Sequence, residues 1–259
     1  MSYRDPERGY KGISYGAGAM AVAGLFYLLR MTSVTNEMRH EEAKLTTPAA
    51  VEDKLLRDNR RGALYTAIQQ HYPEDFEALA TQIANYARDG QTPAQLDVAA
   101  RAFLAAAQQQ HRAEFVQAPH DALADYRQAE IAVVGDLRST DAHLCAEYLN
   151  KGGITSDAGS GDLRVALQQR GWEADAAGRD TPAGRDLSRP APATWRRVAD
   201  TMVAHGITQA EVAAYFQPAA GQPLDANRQC AAGLAFLNAV DDLPDREADQ
   251  LYGYLVSHS

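Results

Sequence analysis

Residues 73–107 read PEDFEALATQIANYARDGQTPAQLDVAARAFLAAA, two helical units and the joint between them. Pro73-Glu74-Asp75 opens the first: proline suits a helix's first turn, and the two acids face the positive end of the helix dipole. Phe76, Leu79, Ile83 and Tyr86 then recur every three or four residues, which places them on one helical face. Asp89-Gly90 supplies the stop. Thr92-Pro93 repeats the start signal as an N-cap followed by Pro. Leu96, Ala99, Ala100, Phe103, Leu104 and Ala107 form the stripe that the second helix buries.

The same grammar extends in both directions. Thr46-Thr47-Pro48 leads into a helix predicted over Ala49–Tyr72, which Gly62 interrupts. Beyond Pro119, helices are predicted over His120–Asp136 and, capped by Thr140-Asp141, around Leu144, Cys145, Tyr148 and Leu149. Further helices follow at Trp195–Ala204, Gln209–Phe216, Asn227–Val240 and Arg246–Val256, separated by Pro218, Pro223 and Pro244. The composition agrees: 49 Ala and 23 Leu against 13 Val and 6 Ile favour helix over sheet. The expected fold is all-α, a helical bundle or array with an N-terminal hydrophobic transmembrane helix.

From Gly12 to Leu29 run 18 residues without a charge, preceded by Arg4, Arg8 and Lys11 and closed by Arg30. That length is at the short end for a membrane span. Tyr10, Tyr15 and Tyr27 lie near its ends, where an interfacial belt would place them. No small-x-small cleavage site follows, so the segment reads as an uncleaved signal-anchor, and its basic flank puts the N-terminus in the cytoplasm. Ala17 with Ala21 and Ala19 with Ala23 would allow two such helices to approach closely, an oligomer formed through the anchor. The expected division is a tail and anchor over 1–30, a linker over 31–48 and a helical domain over 49–150. A flexible connection with a short helix (Leu163–Arg170) covers 151–192, and a C-terminal helical region over 193–259 packs on the first domain. Asp175–Pro192 reads as a segment with little to bury.

Chemical motifs are sparse. The glycines at 152, 153, 159 and 161 lack the Gly-Lys-Ser/Thr of a phosphate loop. Glu37-x-x-His40 and His111-x-x-Glu114 do not make the doubled pattern of a carboxylate-bridged metal centre. His143, Cys145 and Glu147 spread around a helix. Glu74, Asp75, Glu114, Asp241 and Asp242 are available acids, but a glycosidase needs two carboxyls at a defined separation. Asp241 to Asp249 reads as a solvated turn and helix start. No catalytic, cofactor-binding or metal-ligating residue is therefore nominated, and no cofactor is expected.

Trp195–Phe216 resembles the first two helices of a repressor-type helix-turn-helix, chiefly at Gly206-Ile207-Thr208-Gln209 and Val212. The recognition helix that should follow is replaced by a Pro- and Gly-rich stretch, and Thr208 with Glu211 makes an ordinary capping box. The net charge of −9, from 25 basic and 34 acidic residues, also opposes a phosphate backbone. No nucleic-acid partner is expected.

The two cysteines, Cys145 and Cys230, each fall early in a helix beside apolar neighbours. In an oxidising compartment they would form a disulfide. The expectation is a protein of the bacterial inner membrane, single-pass through residues 12–29, with the bulk of the chain periplasmic. It would act as an interaction or structural module without catalytic activity, its partner another envelope protein. The alternative is a soluble or secreted helical hydrolase acting on cell-wall material.

Overall fold

The computed structural model describes residues 43–151, 161–216 and 223–258. The expected anchor over 12–29 and the tail and most of the linker around it lie outside these residues.

A 3-10 turn at Ala43–Thr46 precedes α1 (Pro48–Leu56), whose N-cap Thr47 accepts a hydrogen bond from the Ala50 amide at 3.4 Å. The single helix expected over 49–72 is two, α1 and α2 (Gly62–His71). Asp58 turns the chain between them, its Oδ1 accepting from the amides of Arg60 and Arg61. The return is tight: a Cβ on Gly62 would lie 2.7 Å from the Leu56 carbonyl oxygen. The pair read first from sequence follows as expected. Helix α3 spans Pro73–Arg88 and ends near Gly90 at φ 77°. Helix α4 spans Pro93–Gln110, with a capping box in which Thr92 and Gln95 satisfy each other's amides.

Helix α5 (Arg112–Phe115) is one turn, and α6 (His120–Thr140) is a long strut. Helix α7 covers Ala142–Lys151, with Asp141 Oδ1 accepting from the amides of His143 and Leu144. Helix α8 spans Gly161–Asp180. The C-terminal region comprises α9 (Pro192–Ala204), α10 (Gln209–Phe216), α11 (Ala226–Asp241) and α12 (Asp245–His258). Thr208 and Glu211 form the expected capping box ahead of α10, and Asp225 caps α11. Among the described residues there is no strand.

Three apolar clusters hold these helices together. The first, from α1 to α4, contains Leu64, Ile68, Phe76, Leu79 and Leu104. The second, from α5, α6 and α9 to α12, contains Phe115, Leu123, Val198, Met202, Val240 and Leu251. The third surrounds the cysteines with Val133, Val134, Leu137 and Leu237.

Helix α8 enters all three, through Trp172 and Ala176, through Ala174, and through Leu167 respectively. It packs against α2, α4, α5 and α6. This corrects the expectation of a short helix over 163–170 followed, from Asp175, by a stretch with little to bury. The helix runs ten residues further, and Ala174, Asp175, Ala176 and Gly178 are buried. Small residues explain the difference, because they bury backbone instead of bulky side chains. A Cβ on Gly178 would fall 1.9 Å from the Glu114 carbonyl oxygen and 2.8 Å from the Ala118 amide nitrogen, so α8 rests directly on the α5 backbone.

The following segment, 181–191, is pinned too. Arg185 donates to the carbonyls of Val116 (2.6 Å) and Ala118 (2.9 Å), and its amide donates to Gln117 Oε1.

Candidate functional site

The most chemically distinctive concavity lies where α2, α4, α6, α7 and α8 meet. It is a cleft of about 320 Å3. Its polar lining is Arg61, Tyr65, Arg101, Gln108, Tyr126, Tyr148, Arg164 and Gln168, set among Leu64, Ala100, Leu104, Ala105, Gly161, Val165 and Leu167. Among the described residues no carboxylate lines it, although acids outnumber bases in the chain as a whole.

The geometry follows from helical spacing. On α4, Arg101, Leu104, Ala105 and Gln108 recur at three or four and present one stripe to the cleft; on α8, Arg164, Leu167 and Gln168 do the same. Asp97, one turn before Arg101, bridges two guanidiniums: Arg61 Nη1 reaches its Oδ1 and Arg101 Nη2 its Oδ2, each at 2.5 Å. One negative charge thereby holds two positive ones at the rim.

The floor is where α8 comes closest to its neighbours. A Cβ on Gly171 would meet the Gln108 carboxamide nitrogen at 2.9 Å and the Tyr126 ring at 3.4 Å. Tyr126 is fixed from its other side by the edge of Phe115, with ring centroids 4.9 Å apart. Burial pushes the Tyr126 and Tyr148 phenols well above their ordinary range, and the nearby Glu130 charge adds to this. Both stay protonated hydrogen-bond donors at physiological pH. Tyr148 is only 8% exposed.

Further along the same helix is a second polar group. Asp175 on α8 is 3% exposed. Desolvation, and then the charge of Glu114, raise its carboxyl to about 8, so at neutral pH it is largely protonated. Nearby, His111 Nε2 lies 2.7 Å from Asp75 Oδ2 and its Nδ1 lies 3.3 Å from Glu114 Oε2. The Tyr72 hydroxyl donates to Glu114 Oε2 at 2.6 Å. The Tyr72 ring stacks on His111 with centroids 4.1 Å apart, meets the edge of Trp172 at 5.2 Å, and lies 4.7 Å beneath the Arg179 guanidinium. Of the acids noted in the sequence, Asp75 and Glu114 thus meet on one histidine.

Asp241 to Asp249 is not wholly a solvated start. Asp249 is 6% exposed and accepts from Arg127 Nη1 at 2.9 Å and Arg185 Nη2 at 3.0 Å, with His120 Nδ1 at 3.1 Å. The expectation fails there because the cations that bury Asp249 come from α6 and the segment before α9. Their sequence separations of 64 to 129 residues hide the pairing from any local pattern.

Cys145 on α7 and Cys230 on α11 are brought together. Both are fully buried, their Cα atoms are 5.6 Å apart and their sulfurs stand at bonding distance, 1.94 Å. The cleft residues, in contrast, had no sequence motif to betray them, being spread over five helices. Compared with known protein families, curated proteins and solved structures, the chain matches none.

Proposed function

We propose that this chain is a membrane-anchored helical interaction module of the bacterial envelope, non-catalytic, with residues 12–29 as its single pass and its body in the periplasm. The observation that carries this proposal is the Cys145–Cys230 pair. Both cysteines of the chain are joined across 85 residues inside a core, and such bonds persist in oxidising compartments and are rare in the cytosol. Among the described residues no helix is long and apolar enough to cross a membrane. The proposed span is therefore the uncharged run over 12–29, with the basic residues before it on the cytoplasmic side. An interaction role is supported by a shallow depression lined by Arg189, Trp195, Ala199 and Phe216, a mix of aromatic and Arg surface that is enriched at protein interfaces.

A second reading, a helical hydrolase of cell-wall material, draws on the meeting of Asp75, His111, Glu114 and the protonated Asp175. An acid–base pair of carboxyls needs one partner with a raised pKa. Against it, His111 and Tyr72 are engaged within the cluster, and none of these residues lines the cleft described above.

The test is fractionation of the full chain, tagged at its C-terminus and expressed in a bacterial host. The protein should sediment with membranes and resist carbonate extraction. Protease added to spheroplasts should remove the tag, and alkylation of denatured, unreduced protein should label no cysteine. A soluble chain with a protected tag and two free thiols would refute the proposal. Release of soluble fragments from peptidoglycan by the wild type but not by Asp175→Asn protein would favour the hydrolase.

A further inference from the structure

We propose that α9 carries a self-association face, on which a second copy of this chain packs antiparallel about a two-fold axis at Ala199, with each Val203 seated in the other copy's depression between Trp195 and Phe216. This rests on the reading of that depression as an interaction surface and is independent of the anchor.

The face is a single stripe. Trp195, Ala199 and Val203 follow one another every four residues, so they share one side of α9. At one end is a hole, the depression of about 350 Å3 lined by Arg189, Trp195, Ala199 and Phe216. The Phe216 ring stands edge-on to Trp195 there, with centroids 5.8 Å apart. At the other end is a knob, Val203, which is 39% exposed. Of the five large hydrophobics exposed among the described residues, Val203 and Phe216 are two, and both belong to the α9–α10 pair.

Symmetry then selects the occupant. An isologous contact needs a patch that is complementary to itself. Hole and knob lie eight residues apart, about 12 Å along the helix, with the small Ala199 midway. A two-fold axis at Ala199 lays each knob over the other copy's hole. Alanine at the crossing lets the two helix axes approach to about 8 Å, the close end of the usual range.

The rim charges obey the same symmetry. Arg196 and Asp200 flank the stripe on one side, both exposed and, among the described residues, without an ion-pair partner. In the antiparallel pair each Arg196 stands beside the partner's Asp200, about 3 Å away along the axis, and about 9 Å from the partner's Arg196. Arg189, at the N-terminal end of the stripe, meets the carbonyl end of the partner's α9, where the helix dipole favours a cation. A partner of different sequence would have to reproduce this order of knob, hole, cation and anion, which a second copy supplies. One helix pair is smaller than a standard interface, so the dimer forms at about micromolar to millimolar chain concentrations.

The experiment is disulfide trapping of the full chain in detergent micelles under a mild oxidant, read on non-reducing gels. The two native cysteines are bonded to each other, which leaves an introduced thiol free to report. Ala199→Cys puts two thiols at the two-fold axis, within disulfide reach, and should give mostly covalent dimer. Val98→Cys, 60% exposed on α4, controls for random encounter and for contact made by residues 12–29 alone, and should give at least about tenfold less. Combined with Ala199→Cys, Val203→Asp should lower the trapped dimer about tenfold, because it buries a charge only when two copies meet. Arg196→Glu should do the same by facing like charges, and Arg196→Glu together with Asp200→Arg should restore the dimer, since the exchanged charges again complement each other. Circular dichroism should show that each variant keeps its helices. No dimer from Ala199→Cys, equal yields from Ala199→Cys and Val98→Cys, or a charge exchange that leaves the dimer as weak as Arg196→Glu alone would each overturn the proposal. None of these results alters the fractionation and alkylation outcomes that test the envelope reading, so the two readings fail separately.

Discussion

The same substitution, glycine to alanine, should act with opposite sign at two positions in this protein. Gly135 lies within α6, and a Cβ there would meet nothing within 4 Å. Gly135→Ala should therefore show only the helix-propensity term, a gain of about 0.5–1 kcal/mol. At Gly178 the same gain is opposed by a clash with the α5 backbone. The new carbon would stand 1.9 Å from the Glu114 carbonyl oxygen, whereas a normal C···O contact is about 3.3 Å, so α8 and α5 must separate by about 1.4 Å. Backbone on both sides leaves no rotamer to absorb that shift. Overpacking a core commonly costs about 1–3 kcal/mol and sometimes more. Moving α8 would also disturb Trp172 and Ala174 in two clusters. The clash should win, with a net loss of about 2 kcal/mol in Gly178→Ala, a fall in Tm of roughly 4–8 °C against a rise of roughly 1–3 °C in Gly135→Ala. Urea unfolding followed by tryptophan emission, with Trp172 as a buried reporter on the affected helix, measures both variants. If Gly178→Ala were as stable as the wild type, or if both variants shifted alike, the direct seating of α8 on α5 would be wrong.

Asp175 gives a pH signature. Its carboxyl is held up at about 8 in the folded protein against about 3.9 unfolded, so between these values the unfolded chain binds fewer protons and stability falls as pH rises, levelling off above about 8. Asp175→Asn should lack this component, and its advantage over the wild type should grow by more than about 1 kcal/mol across that window in urea titrations at fixed pH; parallel profiles would count against a buried, neutral acid. Asp249→Ala removes the buried carboxylate between Arg127 and Arg185, leaving Arg127 with Asp241 at 3.4 Å and Arg185 with the Val116 and Ala118 carbonyls, and should cost about 3 kcal/mol in urea unfolding. A loss of under about 0.5 kcal/mol would mean that these charges are solvated.

Where local signals were strong, the sequence read true. Thr92-Pro93, Pro73-Glu74-Asp75 and Thr208 with Glu211 each start a helix where expected, because caps depend on neighbours three residues away. The cysteine pairing was also legible, since only one intramolecular bond can form. Helix α8 was not, because its second half reads GWEADAAGRD, the composition of a loop. Periodicity looks for large apolar residues, whereas this helix buries Gly and Ala against backbone. The cleft was hidden for another reason. Arg61 precedes α2, while Gln108, Tyr126 and Tyr148 belong to three other helices, and each alone is an unremarkable surface or core residue. Only the packing of α8 against α2, α4 and α6 makes them neighbours.

The position of α8 bears on how the molecule comes apart. A helix that contributes Trp172 to one apolar cluster, Ala174 to another and Leu167 to a third cannot leave any of them without weakening the other two. Heat should therefore melt the helices α1 to α12 as one cooperative unit, with calorimetric and van't Hoff enthalpies in agreement. By the same logic, hydrogen exchange in α8 should require global opening, although the helix lies between the sequence regions that look like two separate domains.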